Sequence, residues 1–359
     1  MRLPGICRSP RAPSKLGFVA LAVVLSAACG GGTGAAPSAK SSAPAAPPAQ
    51  SASGPTAANA PATIKLVTGT PAFPSLGAPV TAIAQGKALG NNHGLDLEVK
   101  GYAQIAALYG AFSTGEIESV LGGPHVAQRM RNDGVPLQIV ATYARVDAIQ
   151  VLTADPSIRT LADLRGKRLA ADMSASEFQV LAVYARSKGL DLRSEATVLQ
   201  SGPPLARQQL KSGEADAAML WEPTVTLALR EDNPDYRAIF EGQKAWQELT
   251  GTDGWELVVV MREPYLKANP DAANRWIATL REATQFVQSN MDEADAIVVR
   301  DVQLPPGIFK EAIQSGRMLY DVQPAWDPKQ RQALDLMFKA AVDVGYLDRM
   351  PPPDIIYQP

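Results

Sequence analysis

Residues 114–124, TGEIESVLGGP, and residues 212–223, SGEADAAMLWEP, are written in one grammar: a small hydroxyl residue, Gly, Glu, an apolar residue, an acid, a short apolar run and a closing Pro. Each copy reads as the end of a helix, a turn at Gly115 or Gly213, and a short buried strand that finishes at GGP or WEP. In open α/β sheets, ligands settle in the crevice outside the carboxyl ends of the strands. Two copies therefore imply two lobes, each presenting one strand end to a shared cleft.

The flanking segments fit that reading, and 359 residues are too many for one ordinary core. Residues 63–70 alternate as a strand does, and the loop PAFPSLGAP leads into VTAIAQGKALGNNHGL, expected as an amphipathic helix closing at a Gly-rich turn. DLEVKGY, ESVLGGP and LQIVATYA are expected strands, separated by the helices AQIAALYGAFSTG and HVAQRMRNDG. The pattern restarts at DAIQVLTA: the strands KRLAAD, EATVLQSGP, ADAAMLWEP and YRAIFEG alternate with helices ending at Gly189 and Gly213 and with the helix TVTLALRED. Such alternation marks an α/β fold whose sheets are mostly parallel and flanked by helices. ELVVVM is one more strand, after which a helical C-terminal region is expected to dock back on the first lobe. The predicted division is residues 63–147 plus 252–359 for lobe I and residues 148–251 for lobe II, with hinges near Asp147 and Gly251.

The N-terminus is a different material. Arg2, Arg8, Arg11 and Lys15 precede the apolar run LGFVALAVVLSAA, which is too short to cross about 30 Å of hydrocarbon, so residues 1–28 are expected to be a cleaved signal peptide. The Cys that follows resembles the acylated Cys of a bacterial lipoprotein, with Leu25 and Ser26 ahead of it, and Cys29 is the predicted lipidation site. An ordinary signal peptide that merely contains a Cys is the alternative. Residues 29–62, rich in Gly, Ala, Ser and Pro, bury too little apolar surface to order themselves and read as a tether. Loss of Cys7 with the signal leaves Cys29 alone, which excludes an internal disulfide and Cys-based metal or catalytic chemistry. Loss of four basic residues leaves 30 basic against 36 acidic, a balance with no footprint for nucleic acid.

The segments AIAQGKALGNNHGLDLEV, STGEIESVLGGP, LADLRGKRLAADMSASEF and LKSGEADAAMLWEP follow one another in an order similar to that of a known family. The chain resembles the type II periplasmic solute-binding proteins of ABC transporters, in particular their SsuA/THI5-like (NMT1-like) branch. The resemblance spans residues 63–260 and fades to an outline beyond. It implies an extracytoplasmic receptor, lipid-anchored at the outer face of the bacterial cytoplasmic membrane, that closes on a small organic anion or heterocycle. Sulfonates, taurine, nitrate and thiamine-pyrimidine precursors are the ligands of that branch. The implied partners are a permease and its ATPase, with no cofactor, no metal and a monomeric state. Two alternatives stay open: an enzyme on the same fold, akin to fungal pyrimidine synthases, and a sensory ectodomain that presents ligand to a membrane partner.

Catalytic motifs are missing: the two His, His93 and His125, lack metal-ligand spacing, and no G-x-S-x-G or S-x-x-K set occurs, so a non-enzymatic binding protein is expected. His93 reads as a surface turn residue. Gly123 and His125, at a strand end, are candidate ligand contacts, His125 being alternatively a helix-start residue. Thr70, Phe73 and Ser75 follow the first strand, with Phe73 held between prolines as a cleft wall. Tyr143 and Arg145 stand at the hinge edge of lobe I, where Arg145 either clamps an anion or pairs with Asp147. Ser174 or Ser176 is expected to cap a helix whose free N–H groups accept an anion, although capping alone also explains both serines. Ser201 lies at an adjoining strand end. Trp221 either stacks on a flat ligand or packs under the next helix, and Glu222 either accepts from a ligand amine or pairs with an Arg.

Overall fold

The computed structural model describes residues 62–359. The predicted signal peptide, Cys29 and nearly all of the tether lie outside the described residues. Ten strands form two five-stranded sheets. The first holds β1 (Ile64–Pro71), β2 (Leu95–Tyr102), β3 (Ser119–Gly122), β4 (Leu137–Arg145) and β10 (Trp255–Arg262), in the order β2-β1-β3-β10-β4. The second holds β5 (Ile149–Thr153), β6 (Arg168–Ala171), β7 (Thr197–Gln200), β8 (Ala217–Trp221) and β9 (Arg237–Glu241), in the order β7-β6-β8-β5-β9. Among the helices, α1 (Gly77–Gly86), α2 (Ile105–Thr114) and α3 (Pro124–Asn132) flank the first sheet, and α4 (Ser176–Ser187) follows β6 in the second.

Each sheet is mixed. β1 pairs parallel with β2 and β3, while β10 runs antiparallel to β3 and β4; β6 pairs parallel with β7 and β8, while β5 runs antiparallel to β8 and β9. The reversed strands are those beside the passages between sheets: β5 is the first strand after the crossing and β10 the first after the return.

Both repeated segments fold alike. α2 ends at Gly115 and the helix Pro203–Ser212 at Gly213, with φ of 83° and 76°, a left-handed conformation that only Gly adopts without strain. The following strand is buried along its length in each case. In β8 the side chains alternate: Ala217, Met219 and Trp221 join the large core that continues into the first sheet, while Ala218 and Leu220 enter a smaller cluster with Ala206 and Leu210. Trp221 is thereby aimed at the first half of the molecule.

Three expectations about helices need correction. In VTAIAQGKALGNNHGL the helix closes ahead of the Gly-rich turn: α1 stops at Gly86, Ala88 takes a φ of 51°, and a 3-10 turn over Leu89–His93 follows. Gly90 sits so close to the backbone that a Cβ there would lie 2.7 Å from Leu95 O, which a continuous helix would forbid. TVTLALRED widens into a π-helical turn over Ala228–Asp232, where Asp232 is held by Arg207 and Lys211 at 2.5 and 2.9 Å. The C-terminal helices dock on the first sheet through Ala272–Ser289, but Ile308–Gln314 also packs against Thr224–Leu227 of the other half.

The two passages between the sheets, Val146–Ala148 and residues 242–254, lean on each other. Val146 N–H donates to Gly254 O at 3.2 Å. A Cβ on Gly242 would lie 2.0 Å from Val146 O, and one on Gly254 would lie 2.5 Å from the Trp246 ring.

Candidate functional site

The carboxyl ends of β3 and β8 approach one another. Just past β3, the Gly123 backbone lies against Ser176, the first residue of α4, so closely that a Cβ on Gly123 would sit 2.1 Å from Ser176 Cβ. Tyr109 of α2 seals this contact, its Oη accepting from Gly123 N–H at 3.3 Å and lying within hydrogen-bond reach of Ser176. Behind them is an enclosed space of about 20 Å³, lined in part by Ser75, Tyr109, Leu121, Ser176, Glu177 and Trp221. That volume is close to the room one water needs. The halves stand nearly closed on each other.

Carboxyl groups dominate the polar chemistry here. Glu177, in the first turn of α4, accepts from Ser176 Oγ at 3.1 Å and from its own backbone N–H. Glu256 comes from β10 and is fully buried, and neither of its oxygens meets a donor among the described residues. Within its hydrogen-bond reach is the Glu177 carboxyl, so the contact is satisfied only when one of the two carries a proton. Burial, with the charges of Glu177, Glu222 and Asp147, raises the Glu256 carboxyl well above the ordinary 4.5. Burial raises Glu177 as well, against the hydrogen bond from Glu256. Glu222 is equally buried but partnered: Arg317 Nε donates to Oε1 at 2.5 Å, Thr226 Oγ1 at 2.9 Å, and Thr226 N–H donates to Oε2 at 3.1 Å. Burial pushes its carboxyl up while Arg317 holds it down.

Of the residues expected at a binding site, Ser75, Ser176 and Trp221 line the enclosed space and Gly123 touches it through Ser176. Trp221 is 1% exposed and its Nε1–H has no partner among the described residues. The rest are engaged elsewhere. Thr70 lines a separate groove of about 520 Å³ with Thr81, Gln85, Asp301 and Gln303, and Phe73 leans half-buried on the core. Tyr143 donates to Leu76 O at 3.4 Å and packs its ring 5.3 Å from Tyr320. Arg145 pairs with Asp253 at 2.5 Å, with Asp147 at 3.8 Å, and lies over the Trp255 ring. Ser201 donates to Gln209 at 2.6 Å. His125 is buried in α3, donates from Nε2 to Met337 O at 3.1 Å and packs 5.8 Å from Trp246; burial lowers its pKa to about 4.

The capping expectation for α4 is corrected. The N-cap is Ala175, with no side-chain cap; Ser176 is the first helical residue, and Ser174 instead donates to Asp172 at 2.6 Å. The acceptor role at this helix start falls to Glu177. His93 is tied to Glu282 at 2.7 Å. Among the described residues no group of three or more His, Cys, Asp or Glu is placed to hold a metal.

Tyr109, Glu177, Glu256 and Leu257 escaped the sequence reading. The signal for Glu256 was a lone acid in the apolar strand WELVVVM, which burial turns into an unpaired carboxyl. Glu177 was masked by the serines beside it.

Residues 81–294 match the model of the NMT1/THI5-like family. A Brucella abortus protein described only as a binding protein is 21% identical over 243 residues, covering 68% of this chain and 73% of its own. The periplasmic aliphatic sulphonate-binding protein SsuA of Escherichia coli shares the fold with a TM-score of 0.65 at 19% identity, over 84% of this chain and 93% of that one. The MOPS-bound alkanesulfonate-binding protein SsuA of Xanthomonas axonopodis gives 0.66 at 19% identity, over 83% and 97%. With most of its length inside the family's pattern and its fold shared with solved binding proteins, the chain belongs to the NMT1/THI5-like family.

Proposed function

We propose that this protein is the extracytoplasmic solute-binding component of an ABC importer. It captures a small solute between two lobes, residues 63–147 with 252–359 and residues 148–251, and hands it to a permease driven by an ATPase. One observation carries the reading: strand ends from two separate sheets converge on one enclosed space whose wall includes Glu177 and Trp221, the latter with an Nε1–H that has no partner among the described residues. Buried polar groups of that kind are costly unless a partner meets them. A solute that bonds both lobes favours the closed arrangement by its differential affinity, and the permease reads the closed shape.

Export by the signal peptide and acylation of Cys29 keep the receptor beside its permease. No residue is assigned a catalytic role. The test is a thermal-shift screen of small solutes on the full chain: a bound solute at a hundred times its Kd adds about 2.7 kcal/mol of stability. If no small solute raises the midpoint, the receptor reading falls. Intact-mass measurement of detergent-extracted protein checks the acyl group, and Cys29→Ala is expected to release the chain from the membrane fraction.

A further inference from the structure

We propose that the space between Trp221 and Glu177 selects a solute with a cationic or hydrogen-donating nitrogen, such as an amine, an amidine or an amino-substituted ring, and rejects sulfonates and carboxylates. This rests on the solute-binding reading above and adds the chemistry of the ligand.

The start of α4 is where an organic anion would ordinarily dock, because free N–H groups and the helix dipole favour negative charge there. Here the chain's own Glu177 carboxylate occupies that position, accepting from Ser176 Oγ and its own N–H. No residue lining the space is basic. The guanidinium groups on neighbouring elements are already matched, Arg317 by Glu222 and Arg145 by Asp253. An entering anion would meet Glu177 at close range with Glu256 behind it, a like-charge encounter in a water-poor setting where repulsion is strong.

A nitrogen base reverses each term. Its N–H groups reach Glu177 on the wall of the space, and its charge offsets that of the Glu177–Glu256 contact behind. Trp221 contributes the independent half of the pattern: a buried indole N–H on the wall of the space that needs an acceptor. The ligand is thus one that donates toward α4 and accepts from β8. Since the enclosed volume is about 20 Å³, such a solute enters with the halves apart and is held as they approach.

Isothermal titration of the full chain at neutral pH tests this, with benzamidine, propylamine and 4-aminopyrimidine set against propanesulfonate, benzoate and nitrate. The expected result is binding of at least one nitrogen probe, weakened roughly tenfold or more by Glu177→Gln and by Glu256→Gln, and weakened also by Trp221→Phe. Binding of a nitrogen probe that none of these substitutions alters would overturn the assignment. So would binding of an anionic probe that tightens in Glu177→Gln, an outcome that leaves the solute-receptor reading standing. Silence toward both sets, in wild type and in Glu256→Gln alike, removes the receptor reading together with the inference.

Discussion

Glu222 at the end of β8 and Glu256 in β10 are both fully buried, yet Arg317 and Thr226 converge on the first, while no donor among the described residues reaches the second. A carboxylate with a guanidinium and a hydroxyl in place is part of the architecture, here tying the C-terminal segment to the second sheet. One that has only another carboxylate for company destabilises the fold that holds it. Groups of the second sort persist where they act on something else, which is the ground for reading the paired acid as structural and for proposing that the unpaired one serves the binding space through Glu177.

Removing Arg317 is the harshest way to break this contrast. Arg317→Ala leaves Glu222 buried without its cation and is expected to lower stability by about 3–5 kcal/mol, measured by urea unfolding. Adding Glu222→Gln should recover part of the loss; no recovery would mean that the ion pair was not what held the segment. His125 offers a check of opposite sign. Its pKa is about 4 in the fold and 6.5 as the reference value, so its contribution is complete above pH 6.5 and is lost as pH falls through about 4, on the order of 3 kcal/mol in all. His125→Gln should flatten that acid limb.

Glu256→Gln sharpens the contrast in the other direction, with an expected gain of about 1–3 kcal/mol at neutral pH. Because burial and Glu177 raise the folded pKa above 4.5, the wild-type residue contributes fully below pH 4.5 and loses that contribution as pH rises through the raised value. The gain from Gln should therefore shrink toward acid, and a gain independent of pH would refute the unpaired-acid account. Smallest in stability is Gly123→Ala, whose added methyl would strike Ser176. The halves can relieve this by separating, so the change should stay under about 1 kcal/mol, while small-angle scattering shows a larger radius of gyration.

Local chemistry was legible in the sequence and distant pairing was not. Gly115 and Gly213 announced two helix ends because a left-handed residue is a local demand that Gly meets with the least strain. Trp221 and Ser176 could be placed at a strand end and near a helix start because such ends have recognisable punctuation, although the cap itself is Ala175. The carboxyl pair has none: Glu177 comes from helix α4 and Glu256 from strand β10, far apart in sequence, and only packing makes one the neighbour of the other. Arg317 and Glu222, distant in sequence, were hidden for the same reason; the sequence allowed an Arg partner for Glu222 but could not say which.

The paired passages at Val146 and Gly254 set how the two halves can move. Bonded side by side, with glycines where any side chain would collide, they can twist only as one ribbon. Under such a rotation, displacement grows with lever arm. In the division proposed above, Tyr109 and Glu256 belong to one half and travel together, while Glu177 and Trp221 travel with the other. An incoming solute thus settles on one finished wall before the second arrives, so recognition precedes enclosure.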